Sequence, residues 1–488
     1  MAKNESSLKA NYLFNLSYQL LAIILPFVTA PYVTRVLGAD RLGVYSYVHT
    51  FAKYFLLFAM LGVKNYGNRS IAYARDDKEK LRQTFWEIFA FQFIMAFFVS
   101  IAYFLYCSNM IRENRTIYLI DTLFVCSGFF DVDWLCFGLE KFRLTAVRSL
   151  IIRTLTVACV FLFVKKPEDL WLYTLIFAVS FVATALAVWP FVVRQVGFMR
   201  PTWRGIRQHI VPNLVLFWPV IAVSLYNFMD ILMLGRFSAK SEVAFYTYAE
   251  NLTNMTGTII LSLDNVIMPR MSNLFSRNDK KTIQSLMDRV MLFVMFLSCA
   301  LSFGLAGVAQ TFAPWFYGKE FARCGLFITL LCPTILFKAW AAALRTQYII
   351  PAKKDRIYLT SLTMGAMVNV VINLLLIPKL AGVGAIIGTI CAEGTVCVAQ
   401  FFMCRKEVDA RHFILRGIGF AVIGVLMYVP VTWLGGVGNG GLRTLVVQIM
   451  SGAAIYLLAA AFYMLKILRD PHLINMGLRM LHIHYEFR

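Results

Sequence analysis

The chain has 488 residues, of which 59% are hydrophobic and only 15% charged, and its mean hydropathy is +0.68. Those values exclude an ordinary soluble domain, in which about a quarter of residues are charged. The formal charge of +21 does not indicate nucleic-acid binding, because the basic residues sit in short connections between apolar runs and no separate basic domain exists.

In chain order, apolar runs occupy residues 12–33, 42–63, 84–106, 116–139, 145–164, 170–193, 211–235, 246–268, 289–310, 326–350, 357–378, 382–402, 412–434 and 442–467. Each is long enough for the ~20 residues that cross a bilayer. Backbone groups in lipid must be satisfied within the segment, so the runs are helices. The alternating pattern of a membrane barrel is absent. The expected fold is an all-α integral membrane protein of about fourteen transmembrane helices. No cleavable signal is expected, since Ala30 is followed by Pro31 and the first run is long and polar on one face.

Lys and Arg orient the spans. One set of connections, from Lys3 and Lys9 through Lys64–Arg82, Arg194–Arg207 and Arg270–Arg289 to Lys466–Arg488, holds 31 of the 47 basic residues. The alternate set holds 12, among them Arg35, Arg112, Lys240 and Arg323. The richer set is assigned to the cytoplasm, with both termini inside. A shift of 201 residues lays Arg35 on Arg236, Tyr45 on Tyr246, Tyr47 on Tyr248 and Arg69 on Arg270. This repeat predicts a six-helix lobe at 1–200, a second at 201–410, and two added helices with a tail at 411–488.

Four basic residues remain, Lys53, Arg153, Lys338 and Arg345, all inside spans. An ionisable group there costs roughly 2.5–3.5 kcal/mol on insertion scales and usually faces a wet cavity or a partner. Ser46, His49, Thr50 and Lys53 recur at helical spacing and form one polar stripe. The first span carries another with Asn11, Asn15, Gln19, Pro26 and Thr29. Lys338 and Arg345 share a face, and Arg153 aligns with Ser149 and Thr156. These residues suit a phosphate or pyrophosphate, to which charge-assisted hydrogen bonds are strong. The candidate binding residues are therefore Lys53, Arg153, Lys338, Arg345, His49 and Asn15.

Acids in or near spans include Asp133, Asp230, Glu250, Asp264 and Glu393. A buried carboxylate can bind Na⁺ or exchange a proton, and Glu393, Glu250 and Asp230 are the candidates for coupling to an H⁺ or Na⁺ gradient. Near span ends, Asp230 and Asp264 also suit simple hydration. No phosphate-binding loop for ATP occurs, no H-E-x-x-H, and no C-x-x-C among the ten Cys. Neither an enzyme, a cofactor nor a metal site is expected.

The segment NYLFNLSYQLLAIILPFVTAPYVTRVLGADRLGVYSY at 11–47 resembles the start of the polysaccharide-repeat-unit flippases, the O-antigen and capsule exporters of the multidrug/oligosaccharidyl-lipid/polysaccharide superfamily. FMDILMLGRFSAKSEVAFYTYAE at 228–250, MPRMSNLF at 268–275, FYGKEF at 316–321 and GVGAIIGTICAEG at 382–394 extend the resemblance in order along the chain. The resemblance implies two six-helix lobes in a V around a central cavity, plus two helices. It implies movement of an undecaprenyl-pyrophosphate-linked glycan from the cytoplasmic to the outer leaflet of a bacterial inner membrane. A polysaccharide polymerase and a chain-length regulator are the further partners, beside membrane lipids. A cationic residue on the second helix meets the lipid diphosphate in related flippases, and Lys53 matches it in kind, as Lys rather than Arg. The competing readings are a flippase for teichoic-acid or peptidoglycan precursors, a multidrug antiporter of the same superfamily, and a membrane-embedded glycosyl or phosphoglycosyl transferase.

Overall fold

The computed structural model describes residues 2–261 and 264–468; within these, the side chains of residues 2–25, 219, 222, 225, 226, 261, 264–266 and 410 lie outside the description. Among the described residues there are helices and no strands. The first two predicted spans run together as one kinked helix, α1 (Ala2–Met60), broken at Gly38 with φ 76° and ψ 171°. That backbone geometry is open to glycine and strained for other residues. Pro26 and Pro31 each remove a helix hydrogen bond in the same stretch. The Pro31 carbonyl accepts from the Arg35 guanidinium at 2.8 Å.

The segment 63–74 reads in the sequence as a basic connection, but it is helical: α2 (Val63–Ala74). Val63, Tyr66, Gly67, Ile71 and Ala74 are buried along one face, while Lys64 and Arg69 stay exposed. Asp77 caps α3 (Lys78–Asn109), its Oδ1 accepting from the backbone N–H groups of Glu79 and Lys80 at 2.9 and 3.2 Å. The predicted span 116–139 is interrupted, as α4 (Arg115–Cys126) and α5 (Asp133–Gly138) are separate helices. Gln92 of α3 fills the break. Its Nε2 donates to the Gly128 and Asp131 carbonyls at 2.7 and 2.9 Å, and its Oε1 accepts from Trp134 Nε1 at 2.9 Å. A break inside an apolar layer is tolerated only when its carbonyls find such partners.

There follow α6 (Phe142–Phe163), α7 (Leu170–Leu186), α8 (Trp189–Val196), α9 (Trp203–Gln208), α10 (Ile210–Phe237), α11 (Lys240–Leu261), α12 (Asp264–Ser276), α13 (Lys280–Phe316), α14 (Ala322–Leu331) and α15 (Pro333–Leu344). A π-helical turn over Arg345–Ile349 extends α15. The chain continues as α16 (Asp355–Leu380), α17 (Gly382–Met403), α18 (Ala410–Val437) and α19 (Leu442–Phe462). These helices overlap all the predicted runs. By length and hydropathy, nine helical segments among the described residues qualify as membrane spans. A tenth is the pair Lys319–Leu331 and Pro333–Ile349, bent by 42°. The sequence predicts one span there, 326–350; Pro333, without an N–H, explains the bend. Many large apolar side chains face outward, Leu458, Met450 and Leu375 among them, as lipid permits and water would not. The chain is a multi-pass helical membrane protein.

The residues cluster into two compact units, one of 1–235 with 239–244, the other of 236–238 with 245–488. The core of unit 1 gathers around the fully buried Trp134, with Phe85, Ile88, Val132, Leu135 and Val192. Gly67 is necessary here, since a Cβ would lie 2.6 Å from the Trp134 ring. The turn joining α10 and α11 packs beside the α1 kink, where the Ser241 N–H donates to Asp40 Oδ1 at 3.1 Å. These two positions are 201 apart, the interval of the sequence repeat. In unit 2 the added helices α18 and α19 pack on α13. Tyr456 Oη donates to the Phe296 carbonyl at 2.7 Å, and Gln448 Nε2 donates to the Val431 carbonyl at 2.8 Å.

Candidate functional site

Each unit holds a polar cluster within its apolar helices. In unit 1 the stripe on α1 turns inward. His49 is buried, and its Nδ1 lies 3.2 Å from Asp121 Oδ2 on α4. Tyr45 stacks on the imidazole, and Phe124 and Phe181 close round it at 4.5 and 5.8 Å between centroids. Thr50 is buried beside it. Lys53, one turn further along, is half-buried, with its ammonium 5.5 Å from the centre of the Phe228 ring on α10, within cation–π range. Tyr54 Oη donates to the Ser224 carbonyl at 3.2 Å. Asp230, on α10, is 4% exposed; the hydration that its place near a span end suggests is not what the fold gives it. Arg153 lies on the exposed side of α6, apart from the enclosed His49. Asn15 falls outside the described side chains, as does Asp264.

Unit 2 brings together residues that the sequence singles out separately. Lys338, on α15, places its ammonium 3.3 Å from Glu393 Oε1 on α17 and donates to Asn254 Oδ1 on α11 at 2.8 Å. Glu393 is 5% exposed, whereas the Lys338 side chain is 29% exposed. One turn before Glu393, the Thr389 hydroxyl meets Tyr246 Oη at 2.9 Å. Tyr246, Glu250 and Asn254 recur every four residues on α11, so Glu250 shares the face that meets α15 and α17. Arg345 lies in the π turn, with its guanidinium 5.4 Å from the Tyr358 ring centre, and is not part of the Lys338 contact. Breaks of this kind often accompany functional sites.

Unit 1 holds a further cluster, around Glu87 and His209, where sequence reasoning proposes nothing. Glu87 and His209 are both buried. Glu87 Oε2 accepts from Gln208 Nε2 at 2.9 Å and lies 3.2 Å from His209 Nε2; Tyr66 Oη reaches His209 Nδ1 at 2.7 Å. The acceptor-only carboxylate places the ring proton on Nε2, leaving Nδ1 to accept from the tyrosine. Burial holds His209 below its usual value of 6.5, against the opposing pull of Glu87. Gly205 makes room, since a Cβ there would lie 1.9 Å from Glu87 Oε1. Asp121 and Glu87 are the polar residues that sequence reasoning passed over. Both lie inside predicted spans, which was the available signal.

Among the described residues no group of three or more His, Cys, Asp or Glu side chains is placed to hold a metal ion. The ten cysteines are free thiols, buried or half-buried.

A family model described as polysaccharide biosynthesis protein matches residues 8–275. The chain belongs to that family. A second model, MatE, matches residues 217–375. Over 288 residues the chain is 23% identical to a protein assigned as O-antigen transporter in Escherichia coli (strain K12), covering 58% of this chain and 69% of that one. A protein of the same assignment in Shigella dysenteriae is 23% identical over 373 residues, 74% of this chain and 88% of that one. Among solved structures, the lipid II flippase MurJ in an inward closed conformation aligns with a TM-score of 0.76 at 12% identity, over 94% of this chain and 99% of that one. At that identity the likeness is one of fold.

Proposed function

We propose that this member of the family flips lipid-linked glycans. It moves undecaprenyl-pyrophosphate-linked oligosaccharide units from the cytoplasmic to the outer leaflet of a bacterial plasma membrane, for assembly of O-antigen, capsule or exopolysaccharide. The observation that carries this reading is the pair of half-buried lysines inside spans, Lys53 in unit 1 and Lys338 in unit 2. Ammonium groups at that depth need an anionic or aromatic partner; Phe228 and Glu393 supply it within the protein, and a lipid diphosphate is the anion that competes for the same groups. The names of the O-antigen relatives and the MurJ-like fold support the same class of cargo.

In this mechanism the chain has fourteen spans, both termini in the cytoplasm, and two six-helix lobes that alternate between inward and outward access. The diphosphate pairs with Lys53 and Lys338, with Arg153 and Arg345 as further candidate contacts from other faces, while the sugars occupy hydrated space and the polyprenyl tail stays in lipid. Asn15, on the polar side of the first span, is a candidate sugar contact. His49 is better explained as the partner of Asp121, because aromatic rings enclose it. Glu393, Glu250 and Asp230 are the candidates to bind H⁺ or Na⁺ and reset the cycle. One charge moving through the full potential contributes about 2.3 kcal/mol per 100 mV, enough to bias a two-state gate. A polymerase and a chain-length regulator act on the product.

The test is reconstitution in vesicles with lipid-linked glycans, scoring arrival at the outer leaflet with a membrane-impermeant lectin. The double variant Lys53→Glu, Lys338→Glu is expected to lose roughly 100-fold or more in rate, since each charge-assisted contact contributes about 1.5–3 kcal/mol. Unimpaired flipping by that variant overturns the cationic site. The MatE match over 217–375 favours one rival, a drug antiporter. Efflux of a cationic dye by the wild-type vesicles, without glycan movement, would favour that rival.

A further inference from the structure

The diphosphate reading treats Lys338 as an anion receptor and Glu393 as a coupling acid. Their contact changes what each can do. An ammonium has three donors and no acceptor. Here it is engaged by Glu393 at 3.3 Å and by Asn254 at 2.8 Å. A phosphate oxygen that takes the position Glu393 holds on Lys338 displaces a carboxylate of the protein.

The two partners are mounted differently. Glu393 sits on α17, which packs tightly against α16. A Cβ at Gly384 would lie 2.6 Å from the Leu376 carbonyl, and one at Gly388 would lie 2.0 Å from Asn373 Oδ1. Those glycines fix α17 in place, and Glu393 stays 5% exposed. Lys338 sits on the short helix α15, bounded by the 42° bend before Pro333 and by the π turn at Arg345–Ile349. Its side chain is long, flexible and 29% exposed. The carboxylate is on the rigid side of the contact and the ammonium on the articulated side.

We infer that Glu393 is an internal occupant of the substrate's anion position on Lys338, so that capture of a lipid diphosphate by Lys338 is linked to uptake of a proton by Glu393. When Lys338 moves to the phosphate, Glu393 is left as a carboxylate without its cation in a nearly dry site. A buried carboxylate in that condition sheds its charge by binding a proton from water. Release of the diphosphate lets Lys338 return and the proton leave. The other ionisable groups facing the pair are Glu250 on α11, Tyr246 on α11 through Thr389, and Cys397 on α17 itself; α16 contributes Asn369 and Asn373, which do not titrate. At their ordinary values the phenol and thiol are neutral. Among the described residues, Glu250 is the group that competes for the role. The inference rests on the lipid-diphosphate reading and deepens it.

The test uses the full chain in lipid nanodiscs with farnesyl diphosphate as the probe. Calorimetry in two buffers of different ionisation enthalpy counts the protons taken up on binding. Wild type is expected to take up about one proton more than Glu393→Gln, and its affinity to rise by up to tenfold per pH unit of acidification relative to that variant. Titration of the probe itself is common to both and cancels. At the alkaline end Glu393→Gln is expected to bind roughly tenfold tighter than wild type, because Lys338 no longer has a charged internal partner. Glu250→Gln is expected to keep the wild-type proton count. Equal proton uptake by wild type and Glu393→Gln overturns the exchange, and loss of the extra proton in Glu250→Gln alone assigns it to the wrong acid. Absence of binding to wild type at every pH overturns the diphosphate reading itself, and the exchange with it. Monodisperse elution of each variant shows that it is folded.

Discussion

His49–Asp121 in unit 1 and Lys338–Glu393 in unit 2 are both polar contacts between helices, at 3.2 and 3.3 Å. They differ in access. Both partners of the first are enclosed, with side chains 11% and 2% exposed, and rings of Tyr45, Phe124 and Phe181 surround the imidazole. In the second, the acid is enclosed but the base is 29% exposed. A contact sealed on both sides holds helices together. A contact sealed on one side can exchange its open partner for a ligand. Distance alone would rank the two as equals; burial of each partner separates them.

That distinction is open to attack by mutation. His49→Ala leaves the Asp121 carboxylate enclosed without its donor, and the expected cost is about 1.5–3 kcal/mol, read as a lowered melting temperature in detergent. Farnesyl diphosphate affinity of the folded fraction should stay within about twofold, because a sealed pair offers the ligand no donor. Lys338→Gln is expected to reverse the pattern, with a smaller stability loss and a roughly tenfold or greater loss of affinity. If His49→Ala weakens binding as much as Lys338→Gln does, the contrast fails.

His209 extends the comparison to pH. Burial places its folded value below 6.5. The unfolded chain therefore binds the proton first as pH falls. The contribution to stability is full above about pH 6.5 and declines on acidification below that value. His209→Gln should flatten the pH dependence of melting between about pH 7 and 5 relative to wild type. An unchanged slope would mean that the imidazole is not shielded by Tyr66 and Glu87 as described.

The smallest effect is expected at the exposed Lys354–Glu407 pair. Its 2.7 Å contact raises the Lys354 value through the Glu407 hydrogen bond, yet both side chains reach water. Lys354→Gln should change stability by less than about 1 kcal/mol. A larger loss would show that distance outweighs burial after all.

Much of this organisation was legible in the sequence. Apolar runs mark the helices, and the charges inside them single out Lys53, Lys338 and Glu393 one by one. The contact between Lys338 and Glu393 was not legible, because it joins helices 55 positions apart by packing that no local pattern encodes. Asp121 is legible as a charge inside the run 116–139, but its pairing with His49, 72 residues away, is not. The helix α2 was hidden by its own charges. Lys64 and Arg69 mark a connection, and only the buried face of Val63, Tyr66 and Ile71 shows it to be structured. The interruption between α4 and α5 is invisible locally, since Gln92, which satisfies its carbonyls, comes from another helix.

The contact between Asp40 and Ser241 asks for different things on its two sides. The donor is the backbone N–H of residue 241, which every residue but proline carries, whereas the acceptor is the Asp40 carboxylate itself. Position 241 can therefore change its side chain and keep the contact; position 40 cannot.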